Sequence, residues 1–133
     1  MTSSKDLPLL AARILLGLLF VVAGLGKLAS VEGFAGYMAS GGVPTVLAWP
    51  AILFEILGGL ALIAGLQTRA VALALGAFSI VTAVLYHFDP ADQMQMTNFL
   101  KNVALAGGFF ALAVAGPGRY ALDARLGGRA VAA

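Results

Sequence analysis

Four apolar stretches, each roughly twenty residues long, constrain the fold of this 133-residue chain more than any other feature. They occupy residues 8–28, 44–66, 70–88 and 98–116. A transmembrane helix needs about 20 consecutive, mostly apolar residues, so each stretch is long enough to cross a bilayer. The pattern predicts an all-α fold, a four-helix transmembrane bundle.

The composition argues against a water-soluble protein. Hydrophobic residues make up 61% of the chain and charged residues 11%, whereas soluble domains carry about 25% charged residues. A small domain has a large surface for its volume, and these charges are too few to cover it. We therefore expect one membrane domain over residues 1–133, neither a soluble enzyme nor a nucleic-acid-binding protein. The absence of cysteine excludes thiol chemistry and cysteine-held metals or haem within the chain.

The segment between the first two stretches has its own helical pattern. Val31, Phe34 and Met38 recur every three to four residues, and Tyr37 lies beside them. This spacing predicts a short interfacial helix between spans one and two, lying along the membrane surface.

Basic residues are distributed unequally between the two predicted sides of the membrane. If both termini share a side, that side holds six of them and the opposite side two. The six are Lys5, Arg13, Arg69, Arg119, Arg125 and Arg129, and the two are Lys27 and Lys101. The positive-inside rule then places both termini in the cytoplasm. The orientation of the protein in the lipid bilayer accounts for the positive charge, so no nucleic-acid partner is expected.

One face of the first span carries both of its interior charges. At 100° per residue the members of this face fall within about 80°. They are Arg13, Gly17, Phe20, Gly24 and Lys27. Because lipid offers no partner for charge and small residues allow close helix contact, the face is predicted to point into the bundle. Close packing with terminal charges that reach the membrane surface explains the same pattern.

Glu55 lies near the middle of the second span. An unpaired charge there costs about 2.5–3.5 kcal/mol on insertion scales. We hypothesise a buried pair between Arg13 and Glu55, with a protonated, neutral Glu55 as the competing interpretation. Such a pair either has a functional role or only fixes the register of the two helices.

A polar pocket is predicted toward the other side of the membrane. Lys101 starts a narrow stripe on the fourth span, and Lys27, Tyr86 and His87 lie at a similar depth, beneath the segment of Tyr37. A cation and a neutral imidazole donate hydrogen bonds that suit a quinone carbonyl or a small anion. The alternative is a helix-end lysine that reaches the lipid headgroups beside a structural histidine.

Three residues near the end of the third span invite a metal-site interpretation. His87, Asp89 and Asp92 have no recognised ligand spacing, and we predict no metal site there.

Several motifs share their order and spacing with a known family. They are Arg13-Ile-Leu-Leu-Gly17-Leu-Leu-Phe20, Gly24-Leu-Gly-Lys27-Leu28, Gly42-Val43-Pro44, Glu55-Ile-Leu-Gly58-Gly59, Gly65 with Arg69, His87, and Phe99-Leu-Lys101-Asn102 with Gly107-Gly108. Together they resemble the DoxX family of small bacterial membrane proteins, over residues 8 to 123. The resemblance implies four transmembrane helices in the bacterial inner membrane. It also implies a link to redox or oxidative-stress assemblies, because the family is named for a thiosulfate:quinone oxidoreductase subunit.

The leading functional hypothesis is a membrane component of a quinone-linked redox system. Arg13 and Glu55 would shape the interior, and Lys27, Lys101 and His87 would contact a quinone head or a small anion. No cofactor is expected within the chain beyond a bound quinone, so electrons would come from a redox protein partner.

A second hypothesis is a non-enzymatic scaffold or assembly factor, including a homo-oligomer. Gly107, Ala111 and Ala115 form a small-residue ridge that suits helix–helix contact. A transporter is disfavoured because the spans show no pair of broken helices.

Overall fold

The computed structural model describes residues 3–131, with side chains up to residue 127, and every regular element in that range is helical. The Arg129 side chain, counted above with the basic residues, lies outside the described residues. The helices are α1 (Asp6–Leu28), α2 (Val31–Ser40), α3 (Ala48–Ala64, after a 3₁₀ turn at Thr45–Leu47), α4 (Thr68–Thr82, continued by a π-helical turn at Ala83–His87), α5 (Gln93–Ala115) and α6 (Leu122–Val131).

The predicted four-helix membrane architecture is confirmed. Four helical segments are long and apolar enough to span a bilayer, and they coincide with the four apolar stretches of the sequence. The short helix predicted between spans one and two is α2.

Two elements differ from the sequence-based expectation. Helix α5 begins at Gln93, before the predicted start at residue 98, because Asp92 caps it by accepting hydrogen bonds from the amides of Met94 (2.9 Å) and Gln95 (3.2 Å). Helix α6 was not predicted, since its charged, amphipathic sequence is not an apolar run.

The bundle consists of two closely packed helix pairs. Helix α1 packs along α3, where a methyl group built on Gly17 would lie 2.6 Å from the Gly59 carbonyl oxygen. Helix α4 packs along α5, where a methyl group on Gly76 would lie 2.6 Å from the Phe110 ring. Glycine is therefore required for the helix spacing in both pairs.

Aromatic side chains join the two pairs at the centre of the bundle. The Phe20 ring lies 5.5 Å from Phe109 and 6.1 Å from Phe78, between centroids, and Phe54 lies 5.2 Å from Phe78. We call the end of the bundle that holds both termini the terminal side, and the opposite end the α2 side. On the α2 side the two pairs enclose a cavity.

Candidate ligand site

A cavity of about 540 Å³ lies between the two helix pairs beneath α2, and we call it the α2 cavity. Its floor is the aromatic cluster of Phe20, Phe54 and Phe78. Its wall is mostly apolar, with polar groups from five helices. These are Lys27, Glu55, Ser79, Thr82, His87 and Asn102, with the phenol groups of Tyr37 and Tyr86.

Lys27 and Glu55 form an ion pair at the cavity. The Lys27 Nζ atom lies 2.6 Å from each carboxylate oxygen of Glu55. The Glu55 side chain is buried, whereas 29% of the Lys27 side chain is exposed. Two opposite charges at this separation neutralise one another, so the cavity presents a dipole and not a net charge.

The hypothesised pair between Arg13 and Glu55 is wrong. A methyl group built on Gly24 would lie 3.3 Å from the Glu55 Cβ atom, so Glu55 is level with Gly24. Lys27 is one helical turn beyond Gly24, whereas Arg13 is eleven residues before it, about 16 Å along the axis. The Cα–Cβ bond of a helical residue also tilts toward the N-terminus, which directs Lys27 toward Glu55 and Arg13 away from it.

Arg13 is instead fully buried on the terminal side. Its guanidinium donates hydrogen bonds to the carbonyl oxygens of Tyr120 and of Ile63, the latter at 3.5 Å. Ile63 belongs to the last turn of α3, where unpaired carbonyl groups carry partial negative charge. Arg13 therefore stabilises a helix end and does not line the α2 cavity.

His87 lines the cavity at the end of the π-helical turn. Its Nδ1 atom lies 2.8 Å from Gln95 Oε1, which fixes the ring against the first turns of α5. The turn begins after Thr82, whose hydroxyl donates to the carbonyl of Phe78 at 2.9 Å. Such a side-chain bond competes with the helical ladder, and π-turns frequently occur at functional sites.

On α5 the cavity is lined by Asn102 and not by the sequence-predicted Lys101. Lys101 is exposed and does not line the cavity, so the structure does not bring it together with Lys27. The neighbouring Asn102 faces the cavity and donates from Nδ2 to Thr82 Oγ1 at 3.1 Å. The buried face of α5 is marked by Ala106, Phe109, Leu112 and Ala113. Asn102 shares that face at helical spacing, and this signal was present in the sequence.

Aromatic contacts hold α2 over the cavity. The rings of Tyr37 and Tyr86 stack with centroids 4.8 Å apart, and the Tyr86 hydroxyl donates to the Met38 carbonyl at 3.4 Å. Lys27 Nζ lies 4.9 Å from the centre of the Phe34 ring, a cation–π contact. The roof predicted from the Tyr37 segment is present.

The acidic residues after the third span act as turn and helix caps. Asp89 accepts a hydrogen bond from the Ala91 amide at 3.1 Å, and Asp92 caps α5. Within residues 3–127, no group of three or more histidine, aspartate or glutamate side chains is placed to hold a metal ion.

On the terminal side, Asp123 joins α6 to the start of α4. Its carboxylate accepts hydrogen bonds from the amides of Gln67 (2.7 Å) and Thr68 (2.8 Å). Burial raises the pKa of Asp123, but these amides and the nearby guanidinium of Arg13 outweigh burial, and the pKa lies below its ordinary value. Asp123 thus supplies the N-terminal cap that Gln67, in a left-handed conformation, does not supply.

Arg69 completes the set of helix-end contacts on the terminal side. Its Nη1 atom donates to the carbonyls of Ala113 (2.7 Å) and Val114 (2.6 Å) in the last turn of α5. A cation at a helix C-terminus is stabilised by the helix dipole. Arg13, Arg69 and Asp123 therefore each bond a helix end on this side.

Comparisons with known proteins agree with a membrane-spanning fold. The DoxX family model matches residues 8–88. Inner membrane protein YqjF of Escherichia coli (strain K12) is 41% identical over 123 residues, covering 92% of this chain and 95% of the relative. Inner membrane protein YphA of the same strain is 35% identical over 130 residues, covering 92% and 93%. The chain is also 32% identical over 85 residues to a Bacillus subtilis (strain 168) protein named "Putative oxidoreductase CatD", covering 64% and 63%.

No solved structure matches the chain. The family match covers more than half of the sequence, and two relatives named as inner membrane proteins align along nearly all of it. With four apolar helices, this identifies a multi-pass inner membrane protein. The chain belongs to the DoxX family.

Proposed function

We propose that the protein binds a quinone in the α2 cavity as the membrane component of a quinone-linked redox system. The observation that carries the proposal is an apolar, aromatic-floored cavity with a few convergent polar groups, the usual form of a small-molecule site. The relative named as an oxidoreductase favours redox chemistry over other uses of such a site.

The polar groups of the cavity suit a neutral head better than a free anion. Lys27 is neutralised by Glu55 at 2.6 Å, so the site offers no net positive charge to an anion. Quinone carbonyl oxygens accept hydrogen bonds, which the Lys27 ammonium and the Asn102 amide can donate. Within the described residues His87 bonds only through Nδ1, which donates to Gln95 Oε1, so the Nε2 atom of a neutral ring is left to accept from a hydroxyl of the reduced quinol.

The roles of the sequence-predicted residues change accordingly. Lys27, Glu55 and His87 belong to the proposed quinone site. Arg13 and Lys101 lie outside it, the first at helix ends and the second at the surface. The proposal also keeps both termini in the cytoplasm, following the excess of basic residues on the terminal side. Electrons would pass between the quinone and a cofactor-bearing protein partner.

Quinone retention tests the proposal. The protein is purified in mild detergent from quinone-containing bacterial membranes, and bound quinone is quantified by mass spectrometry per mole of protein. We expect wild type to retain quinone and Asn102→Leu to retain at least about tenfold less of it per mole of protein. This loss is the equivalent of one good hydrogen bond. His87→Phe should show a loss of the same order when the bound molecule is the reduced quinol.

The matched control is Lys101→Leu, on the adjacent residue of α5 but exposed. It should retain as much quinone as wild type. Absence of quinone from wild type, or equal retention by Asn102→Leu and Lys101→Leu, contradicts the proposal.

A helix-binding scaffold is the second candidate function. Gly107, Ala111 and Ala115 form an exposed ridge on α5, and a methyl group built on Gly107 would meet no atom within 4 Å. Small residues on an open face favour contact with another helix. Native mass spectrometry tests this: Gly107→Leu should dissociate any oligomer or bound partner, whereas Leu15→Phe, at an exposed position of α1, should not.

A further inference from the structure

We infer that the ligand enters the α2 cavity sideways from the bilayer, through the gap between α3 and α4, and that its hydrocarbon tail remains in this gap. The inference rests on the proposed function and specifies its substrate class. The ligand is a quinone with a long, membrane-embedded tail and not a short, water-soluble quinone.

The cavity reaches the outer surface of the bundle between α3 and α4. Six side chains line the cavity and are also exposed on the bundle surface: Leu19 of α1, Tyr37 of α2, and two on each border of the gap. The four border residues are Leu47 and Pro50 beside α4, and Val81 and Leu85 beside α3. All four are apolar and lie within the membrane-spanning segments, so the opening faces lipid acyl chains.

Helices α3 and α4 are close on the terminal side and separate toward α2. A tight turn joins them, with Gly65 (φ 76°) and Gln67 (φ 50°) in left-handed conformations. Above it, a methyl group built on Gly58 would lie 3.3 Å from the Leu75 side chain. Large aromatic rings replace this glycine contact nearer α2, and the separation of the helices there creates the gap.

The polar and apolar parts of the cavity are arranged for a ligand with a head and a tail. Lys27 and Asn102 lie on α1 and α5, the two helices that do not border the gap. A head group that accepts hydrogen bonds from them has its far side toward the gap. A tail attached there leaves the cavity between apolar side chains and meets the bilayer directly.

Entry from the aqueous side would require more of the structure to move. Helix α2 covers that side, with Met38 buried beneath it and the Tyr37 ring stacked on Tyr86. A ligand arriving from water would have to break this stack and the bond from the Tyr86 hydroxyl to the Met38 carbonyl. The side chains that border the gap between α3 and α4 are exposed with these contacts intact.

A matched pair of tryptophan substitutions tests this route in the full-length protein. Val81→Trp places an indole in the gap, and Leu73→Trp places one at a position of α4 that does not line the cavity. Val81 and Leu73 are each 53% exposed, so both indoles face lipid to the same extent. Each variant in nanodiscs is equilibrated with decyl-ubiquinone, or with ubiquinone-0, which has the same head without a tail.

We expect Val81→Trp to bind decyl-ubiquinone at least about tenfold more weakly than Leu73→Trp, because the indole occupies the space of the tail. Ubiquinone-0 should bind both variants within about twofold of wild type. Because all proteins share one lipid composition, partitioning of the tailed quinone into lipid cancels from the comparison.

The other outcomes separate this inference from the proposed function. Equal binding of decyl-ubiquinone by the two variants overturns the lateral route and leaves the quinone site standing. Failure of wild type to bind either quinone overturns both. If Val81→Trp loses both quinones or fails to fold, photolabelling of the wild-type protein replaces the comparison. A decyl-ubiquinone analogue with a photoreactive tail end should label residues 47–50 and 81–85. Labelling confined to other segments overturns the inference.

Discussion

Arg13 and Lys27 lie on one face of α1, yet their side chains do different things at the two ends of the bundle. Arg13 is buried on the terminal side, between backbone carbonyls at the end of α3 and in the connection from α5 to α6. Lys27 is paired with Glu55 beside a cavity, on the α2 side. The same helical pattern thus produced one structural cation and one cation at a candidate ligand site.

The comparison separates charges that bond helix ends from charges that border the candidate ligand site. On the terminal side, Arg13, Arg69 and Asp123 each complement the dipole of a helix end, cations at C-termini and the anion at an N-terminus. On the α2 side, Lys27 and Glu55 are bonded to each other and to no helix end among the described residues. On the terminal side these charges bond helix ends, and on the α2 side the ion pair borders the α2 cavity.

Replacing Arg13 should give the largest loss of stability. Arg13→Met removes a charged donor from two carbonyl groups, those of Ile63 and Tyr120, each bond worth about 1.5–3 kcal/mol. We expect unfolding in mixed micelles to require about 3–6 kcal/mol less free energy. The exposed Arg125→Met on the same side is the control and should unfold like wild type. An Arg13→Met protein of normal stability that fails to bind quinone would contradict the structural role assigned to Arg13 and place it with the ligand site.

The Lys27–Glu55 pair should behave differently, because stability and binding can be separated there. Lys27→Met leaves Glu55 without its partner inside the membrane, at a cost of about 2.5–3.5 kcal/mol. The double variant Lys27→Met/Glu55→Met replaces the pair by apolar side chains and should recover most of that loss.

Quinone retention by the double variant sharpens this second prediction. A stable protein that no longer retains quinone assigns the pair to the ligand site. If the double variant is as unstable as the single one, the pair holds the fold together, as Arg13 does. Full quinone retention by a stable double variant would remove Lys27 and Glu55 from the proposed site.

The sequence was informative about helices and less so about what each side chain contacts. Apolar runs located all four spans, and Val31, Phe34 and Met38 located α2, because burial in lipid and helical periodicity are properties of one segment. The partner of Glu55 depends on the register of α1 against α3, which the glycine contact between Gly17 and Gly59 fixes. No single-segment pattern contains that register.

The difference between Lys101 and Asn102 on α5 has a similar cause. A charge within a span is a strong sequence signal, and it favours a helix face that contains Lys101. The buried face is instead the one that contains Asn102, Ala106 and Phe109, about one residue around the helix. An uncharged amide gave the weaker signal and occupies the cavity wall. The π-helical turn that places His87 there had no recognisable pattern in the sequence.

A smaller effect is expected at the Asp123 cap on the terminal side. Asp123→Ala removes the acceptor of the Gln67 and Thr68 amides and should cost about 0.5–2 kcal/mol at neutral pH. Because the pKa of Asp123 is lowered in the folded protein, its contribution is complete above the unfolded pKa of about 3.9. It is lost as the pH falls through the lower, folded pKa.

Unfolding measured at several pH values between about 2 and 7 checks the sign of this effect. The stability difference between wild type and Asp123→Ala should be constant near neutral pH and shrink in acid. Other carboxylates are common to both proteins and cancel in the difference. A difference that grows in acid would contradict the lowered pKa of Asp123.

The smallest effect concerns the roof on the α2 side. Tyr37→Leu removes the stack on Tyr86, worth about 0.5–1.5 kcal/mol, and leaves the Lys27–Glu55 pair in place. Hydrogen exchange of the α2 amides should therefore quicken roughly 2- to 12-fold. Tyr120→Leu, at an exposed tyrosine on the terminal side, is the control and should leave α2 exchange unchanged. If Tyr37→Leu leaves α2 exchange unchanged, the tyrosine stack does not hold the roof, and the α2 side is held as firmly by its remaining contacts as the terminal side is by its helix caps.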